Sequence, residues 1–237
     1  MSVPPAWSTD AAAWAIVPVK RLGAAKQRLA GILPPEARCR LMLVMLQDVL
    51  ATLAKVEGLG PILVVTPDAE VAQIAQRHGV RVLPEERDRG HNAAATAGFA
   101  HALAHGAAAA LTLPADAPCV TPDEVARLLD AAGPGPAPRV VLVPSHDRDG
   151  TNAVLAAPPD AFPVSFGPGS FARHLAQAGA RGLDCRVVEL AGLGQDVDEP
   201  RDLAALVARK RGAPAYEFLQ NECGALREMS SGQNPSE

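Results

Sequence analysis

Trp14-Ala-Ile-Val-Pro-Val19, the helix start Pro34-Pro35-Glu36 and the run Pro61-Ile-Leu-Val-Val-Thr66 together decide the fold. The first is an apolar run of strand length that ends at a group of cations, Lys20, Arg21, Lys26 and Arg28. Pro34-Pro35-Glu36 then opens a long helix whose apolar positions Leu43, Leu46, Leu50 and Leu53 keep helical spacing. Pro61 to Thr66 is a second buried strand. Strand, helix and strand in this succession put two parallel strands into one sheet.

The same alternation continues along the chain. Ala69 to His78 predicts a helix stopped by Gly79, and Val80 to Leu83 a third strand. The polar stretch Pro84 to His91 reads as a loop and Asn92 to His105 as a helix. Ala108 to Leu113 is a fourth strand ending at Pro114-Ala-Asp116. Thr121-Pro-Asp-Glu124 is a capping box that starts a helix running to about Ala132. A turn from Gly133 to Pro138 precedes the strand Val140 to Val143, and Asp149-Gly150 marks a turn before the strand Ala153 to Ala157. Gly167-Pro-Gly-Ser170 leads into a helix ending near Ala178, followed by the strand Cys185 to Leu190. Asp196-Val-Asp198 then precedes a last helix from Pro200 to Lys210.

The expectation is a single α/β domain over residues 13–210, a mainly parallel sheet with helices on both faces. Residues 1–12 are read as an extension and 211–237 as a tail, disordered from Met229 to Glu237. At 237 residues the chain is near the upper limit for one hydrophobic core. Hydrophobic residues at 48% and charged residues at 20% exclude a wholly disordered chain. Aromatic residues at 3% argue against a stacking surface for single-stranded nucleic acid, and a net charge of −4 gives no field favouring a polyanion. Any phosphate contact must therefore come from a local cluster. Cys39, Cys119, Cys185 and Cys223 form no CxxC pair and are read as buried free thiols of a reducing compartment. The apolar run Ala11 to Val19 is too short to span a bilayer and has the wrong flanks for a signal peptide. A cytoplasmic protein without membrane or nucleic-acid partners is expected.

In open α/β sheets ligands bind beyond the carboxyl ends of the strands, which selects several of these loops. Lys20, Lys26 and Arg28 are either a solvated basic loop or a clamp on a triphosphate, with Arg28 able to make bidentate contacts. Asp116 alone reads as a turn cap, and Asp198 as an N-cap of the last helix. Yet an extended Asp-x-Asp sends Asp196 and Asp198 to the same side, and three carboxylates at strand ends opposite three cations suit Mg2+ bridging polyphosphate oxygens. Gly150-Thr151-Asn152 and Gly167-Pro-Gly-Ser170 are either ordinary turns or a second anion site. In the latter, Ser170 at a helix start presents unpaired N–H groups. His101 and His105, one helical turn apart, read as a solvated face. His91 and His174 lie near these loops as weaker candidates for ligand contacts. The chain has no GxGxxG after a strand, no GxxxxGK[ST] and no GxSxG.

Taken in order, these motifs are similar to those of the guanylyltransferases of coenzyme F-420 biosynthesis, the CofC/FbiD family. The resemblance rests on Pro18-Val-Lys20 with Ala25-Lys26-Gln-Arg28-Leu29, on Gly90-His-Asn92, and on Leu113-Pro-Ala-Asp116-Ala-Pro118. Asp149-Gly-Thr-Asn152, Phe166-Gly-Pro-Gly-Ser-Phe171 with His174, and Asp196-Val-Asp198 with Pro200 and Asp202 complete it. His91 and Ala117 depart from the family, where leucine is common. The resemblance implies a single-domain nucleotidyltransferase fold like that of the nucleotide-diphospho-sugar transferases. It also implies transfer of GMP from GTP to a three-carbon phosphorylated carboxylic acid with release of pyrophosphate. By position, Asp116, Asp196 and Asp198 look like Mg2+ ligands. Thr151, Gly167 and Ser170 look like the acceptor's cradle, and Lys20, Lys26 and Arg28 like the triphosphate clamp. Pro84, Glu85, Gly90 and Asn92 would hold the guanosine. Phosphoenolpyruvate, 2-phospho-L-lactate and 3-phospho-D-glycerate remain open as acceptors, and so does the oligomeric state, dimers occurring in the family. The rivals are a sister enzyme activating a sugar phosphate or the molybdenum cofactor, and a non-catalytic nucleotide-binding module.

Overall fold

The computed structural model describes residues 12–133, 138–209 and 214–222. Its first half runs β1 (Ala13–Pro18), α1 (Pro35–Leu53), β2 (Leu59–Thr66), α2 (Ala69–Arg77), β3 (Arg81–Pro84), α3 (His91–Ala104) and β4 (Ala109–Thr112). The second half adds α4 (Pro122–Ala132), β5 (Arg139–Pro144), β6 (Thr151–Ala157), α5 (Ser170–Ala180), β7 (Asp184–Val187), α6 (Pro200–Arg209) and α7 (Pro214–Glu222). Two short 3-10 turns, Leu22–Ala24 and Gln27–Leu29, shape the cationic loop between β1 and α1.

The strands form one sheet in the order β3-β2-β1-β4-β6-β5-β7. All run in one direction except β6, which pairs antiparallel with both β4 and β5. The sheet is thus mainly parallel, as the alternation of elements predicts. The reversal matters for function. Thr151, the first residue of β6, pairs with Pro144 at the end of β5, while Val154 pairs with Thr112 at the end of β4. The start of β6 therefore sits at the edge where its parallel neighbours finish.

Period-two alternation sends the side chains of β1 to two separate cores. Ala13, Ala15 and Val17 face a core closed by α1, α2, α4, α6 and α7, where Leu46, Ile74, Leu128, Leu206 and Leu219 are buried. Trp14 and Ile16 face the other side, covered by α3 and α5 through Phe99, Ala102, Phe171 and Ala178. Burial on both faces explains why the central strands read as continuous apolar runs.

Several expectations need correction. The last strand ends at Val187, not Leu190, because Val188 N–H donates to Leu142 O at 3.0 Å as the final rung. Beyond it the continuation of β5 bonds elsewhere, Ser145 to Gly150 and His146 to Gly194. Pro214–Glu222, assigned above to the tail, forms α7. It buries Ala215 and Leu219, and Ala215 N–H donates to the buried Asp48 Oδ2 at 3.1 Å. Cys39, Cys119 and Cys185 are half-buried free thiols rather than buried ones. His101 and His105 are not simply solvated: their rings stack at 4.1 Å and both lie against Trp14. Residues 134–137 of the predicted turn, the extension up to residue 11, Cys223 and the end Met229 to Glu237 lie outside the described residues. Among those described, no helix is long and apolar enough to cross a membrane.

Candidate active site

The site is assembled at the carboxyl edge of the sheet, where three loops converge. Asp116 follows β4, and Leu113 N–H is still bonded to Ile16 O of β1 at 3.1 Å, which holds the start of that loop on the sheet. Asp196 and Asp198 come from the long segment between β7 and α6. Val197 N–H donates to Asp116 O at 2.9 Å, which ties the Asp-x-Asp segment to the Asp116 loop. Val197 itself is buried, which turns the carboxylates on either side of it the other way. One oxygen each from Asp116, Asp196 and Asp198 then lies within 4.8 Å of the other two.

Two further contacts fix this arrangement. Glu124, read from sequence as the partner in a capping box, makes that box with Thr121, and its carboxylate also accepts from Gly192 N–H at 2.7 Å and Leu193 N–H at 3.2 Å. It therefore ties the acidic segment to the start of α4. Asn152 Nδ2 donates to Leu193 O at 3.0 Å and to Asp196 Oδ1 at 3.2 Å. Asn152, read from sequence as part of a turn or second anion site, thus also serves the acidic cluster. Asp198 is not the helix cap expected of it. Asp202, in the first turn of the helix, instead reaches back, its Oδ2 accepting from Asp198 N–H at 3.0 Å and Glu199 N–H at 2.7 Å.

Asp198 is free for another partner, Lys26. The Lys26 ammonium is buried between Asp116 and Asp198, bonded to the first and 2.8 Å from Asp198 Oδ1. Its backbone takes a left-handed conformation, φ 50°, uncommon for a residue with a side chain and held here by the ion pairs. Burial alone would lower the Lys26 pKa, but the two carboxylates outweigh it and the net shift is upward. Burial likewise acts to raise Asp198, and Lys26, Arg28 and Lys20 reverse this to a net lowering. Asp196 lacks such a partner. Burial, then the charges of Asp116 and Asp198, push its carboxyl up to about 6. The sequence-predicted cations therefore separate. Lys26 is the chain's own counter-ion inside the acidic cluster, Lys20 is exposed at the rim, and Arg28 reaches Glu199 at 3.5 Å and Asp198 at 3.9 Å.

Two cavities open on either side of this cluster. The first, about 410 Å³, is lined by the β1 loop with Lys20, Lys26 and Arg28, by His91, and by Pro114 to Asp116. The second, about 310 Å³, is lined by Thr151, Asn152, Gly167, Ser170, Asp196 and Arg28. Arg28 and Asp198 belong to both walls. The second cavity brings together the predicted cradle residues Thr151, Gly167 and Ser170. Gly167 (φ 121°) and Gly169 (φ 66°) take backbone conformations that other residues rarely adopt. The helix start is not an open donor set, however. Gly169 N–H is spent on Asp149 Oδ2, Ser170 N–H on Gly167 O and Phe171 N–H on Asp149 O.

Pro84, Glu85, Gly90 and Asn92 line neither cavity. The Asn92 amide is engaged with the main chain of Phe166, accepting from its N–H at 2.6 Å and donating to its carbonyl at 3.1 Å. It straps α3 to the loop before α5. Glu85 Oε1 is buried without a hydrogen-bond partner, with Arg89 Nε 3.9 Å away, and burial raises its pKa against the pull of Arg89. Gly90 N–H closes a turn onto Asp88 at 2.8 Å. His91 reaches the first cavity, whereas His174 is wholly buried.

The donor set fits a divalent cation: three carboxylate oxygens of hard-ligand type, close enough to share one ion, with one carboxyl held up by burial and by repulsion from the others.

Residues 13–231 match the family model described as "Guanylyl transferase CofC like". The chain is 47% identical over 195 residues to a phosphoenolpyruvate guanylyltransferase of Rubrobacter xylanophilus, covering 82% of this chain and 93% of that one. It is 41% identical to one of Sphaerobacter thermophilus, covering 81% and 91%. Among solved structures it resembles one described as a nucleotide-diphospho-sugar transferase from Desulfovibrio desulfuricans, with TM-score 0.74 at 16% identity over 92% of this chain and 98% of that one. A nucleotidyl transferase from Methanothermobacter shares the fold with TM-score 0.59 at 18% identity, over 89% and 99%.

Proposed function

This chain belongs to the CofC-like guanylyl transferases, and from that membership we propose that it moves GMP from GTP to a three-carbon phosphorylated acid, releasing pyrophosphate, in coenzyme F-420 biosynthesis. Phosphoenolpyruvate, after which its relatives are named, is the acceptor we favour. The observation that carries this reading is the pair of cavities meeting at Arg28 and Asp198 beside a three-carboxylate cluster.

The reaction joins two anions in line. An oxygen of the acceptor's phosphate bonds to the α-phosphorus of GTP while the bond to the β-bridging oxygen breaks, and the electron pair leaves with pyrophosphate. A phosphate monoester is already mostly dianionic at pH 7, so the nucleophile needs no general base. That accords with a site whose side chains are carboxylates and cations. Catalysis is then positioning and charge compensation. Asp116, Asp196 and Asp198 would hold Mg2+, which when bound offsets charge on the polyphosphate oxygens. Lys20 and Arg28 face the triphosphate from the first cavity, and Arg28 reaches the junction with the second. Thr151, Gly167 and Ser170 receive the acceptor. The guanosine is assigned by family position to the loop of Pro84, Glu85, Gly90 and Asn92, which lies outside both cavities.

The test is a pyrophosphate-release assay with Mg2+, GTP or ATP, and each of the three acceptors, coupled to product mass. GTP with phosphoenolpyruvate is expected to be fastest. Asp116→Asn is expected to lower turnover by a factor on the order of a hundred or more with the fold intact. A near-normal rate of that variant at saturating Mg2+, or a preference for ATP, contradicts the assignment.

A further inference from the structure

His174 touches neither cavity, yet it dictates what one cavity wall offers. It lies on α5 one turn after Ser170, wholly buried, with the rings of Phe162 and Phe166 edge-on at 5.5 Å. Both ring nitrogens are engaged. Ser165 N–H donates to Nε2 at 2.9 Å, and Nδ1 stands 2.9 Å from Thr151 Oγ1.

These two contacts determine the tautomer. A backbone N–H can only donate, so Nε2 presents its lone pair and carries no proton. A neutral imidazole has one N–H, which must then be on Nδ1, donating to Thr151 Oγ1. Burial, helped by the charge of Arg173, lowers the pKa of His174 to about 4, so the ring is neutral at pH 7. Thr151 Oγ1 is thus an acceptor toward the protein. Its own proton has no acceptor among the described residues, and Thr151 lines the second cavity. The Thr151 backbone N–H is already spent on Ser170 Oγ at 2.9 Å.

We propose that His174 is a positioning residue that forces the Thr151 hydroxyl to act as a donor into the acceptor cavity, toward an anionic oxygen of the bound phosphorylated acid. In the other tautomer Nδ1 would carry a lone pair, the hydroxyl would donate its proton to His174, and only lone pairs would be left toward the cavity. Histidine is suited to the place because it accepts from Ser165 and donates to Thr151 from one rigid ring. An asparagine amide reproduces the donor at the Nδ1 position, and a glutamine carbonyl reproduces the acceptor at the Nε2 position, but neither does both.

This inference rests on the function proposed above, and the experiment separates the two. Pyrophosphate release is measured with GTP and phosphoenolpyruvate, taking KM for each substrate, in His174→Gln, His174→Asn, Thr151→Val and the double variant His174→Gln/Thr151→Val. His174→Gln is expected to raise KM for phosphoenolpyruvate about tenfold or more while KM for GTP stays unchanged. His174→Asn should recover most of that loss, and His174→Gln should add nothing in the Thr151→Val background. Equal effects on both substrates, identical behaviour of the Asn and Gln variants, or full additivity in the double variant overturns the proposal. Should the His174 variants fail to fold, nitrogen NMR of the wild-type protein reads the tautomer directly. The ring that stays neutral below pH 5 should carry its proton on Nδ1, and a proton on Nε2 refutes the proposal. Wild-type protein inactive with every acceptor would instead refute the function.

Discussion

Asp196 is pressed from two sides, by its own burial and by the like charges of Asp116 and Asp198, while Lys26 serves the other two carboxylates. With its carboxyl up at about 6, a divalent cation must displace a proton from Asp196 at lower pH. The sign follows directly. Above about pH 6 the group is ionised and affinity is level; as pH falls below it, affinity drops toward tenfold per unit. Titration with Mn2+ between pH 5 and 8 measures this, and a flat profile below pH 6 rules it out. Three aspartates at loop positions were legible as a cation site because strand ends and an Asp-x-Asp spacing are local features. The place of Lys26 was not, because it depends on a left-handed backbone residue bringing the ammonium to partners 90 and 172 positions away.

Helix α3 is rich in alanine and carries one glycine, which lets it lie close to the sheet while His91 reaches the first cavity and Asn92 the loop at Phe166. Gly98 is the tightest point of that contact. A Cβ added there would overlap Ile16 Cγ2 and lie 3.3 Å from Val65 Cγ2, both on central strands. Gly98→Ala is therefore expected to destabilise the protein despite alanine's better helix propensity, by about 1–3 kcal/mol from overpacking. Thermal unfolding should show Tm lower by roughly 2–10 °C. An unchanged or raised Tm would mean that α3 shifts without cost. The helix itself was readable from composition, but its closeness to β1 was not, since small residues permit close approach without naming the surface approached.

In the whole molecule the two cores share one sheet, and the larger one extends past residue 210 to α7. Leu219 is fully buried there, and Asp48 on α1 bonds the first turn of α7. The folded unit is therefore expected to lose stability when α7 is loosened. Leu219→Ala should cost about 2–5 kcal/mol, seen as a lower denaturation midpoint in urea. A midpoint equal to that of the unchanged chain would mean that α7 contributes nothing to the core.

The amino-acid sequence by itself determined the order of strands and helices as far as α6, the parallel character of most of the sheet and the loops that bear carboxylates, cations and glycines. Hydrophobic period, caps and turn residues act within a few positions, so each segment states its own conformation and which of its faces is buried. Only the tertiary structure decided that β6 enters reversed between β4 and β5, delivering Thr151 to the carboxyl edge. It also decided that Lys26 is sealed among carboxylates, and that His174 meets Ser165 and Thr151 at once. Those outcomes depend on which groups packing leaves as partners for a buried charge, a ring nitrogen or an open strand edge. That choice is made between segments distant in the chain, where no local pattern records it.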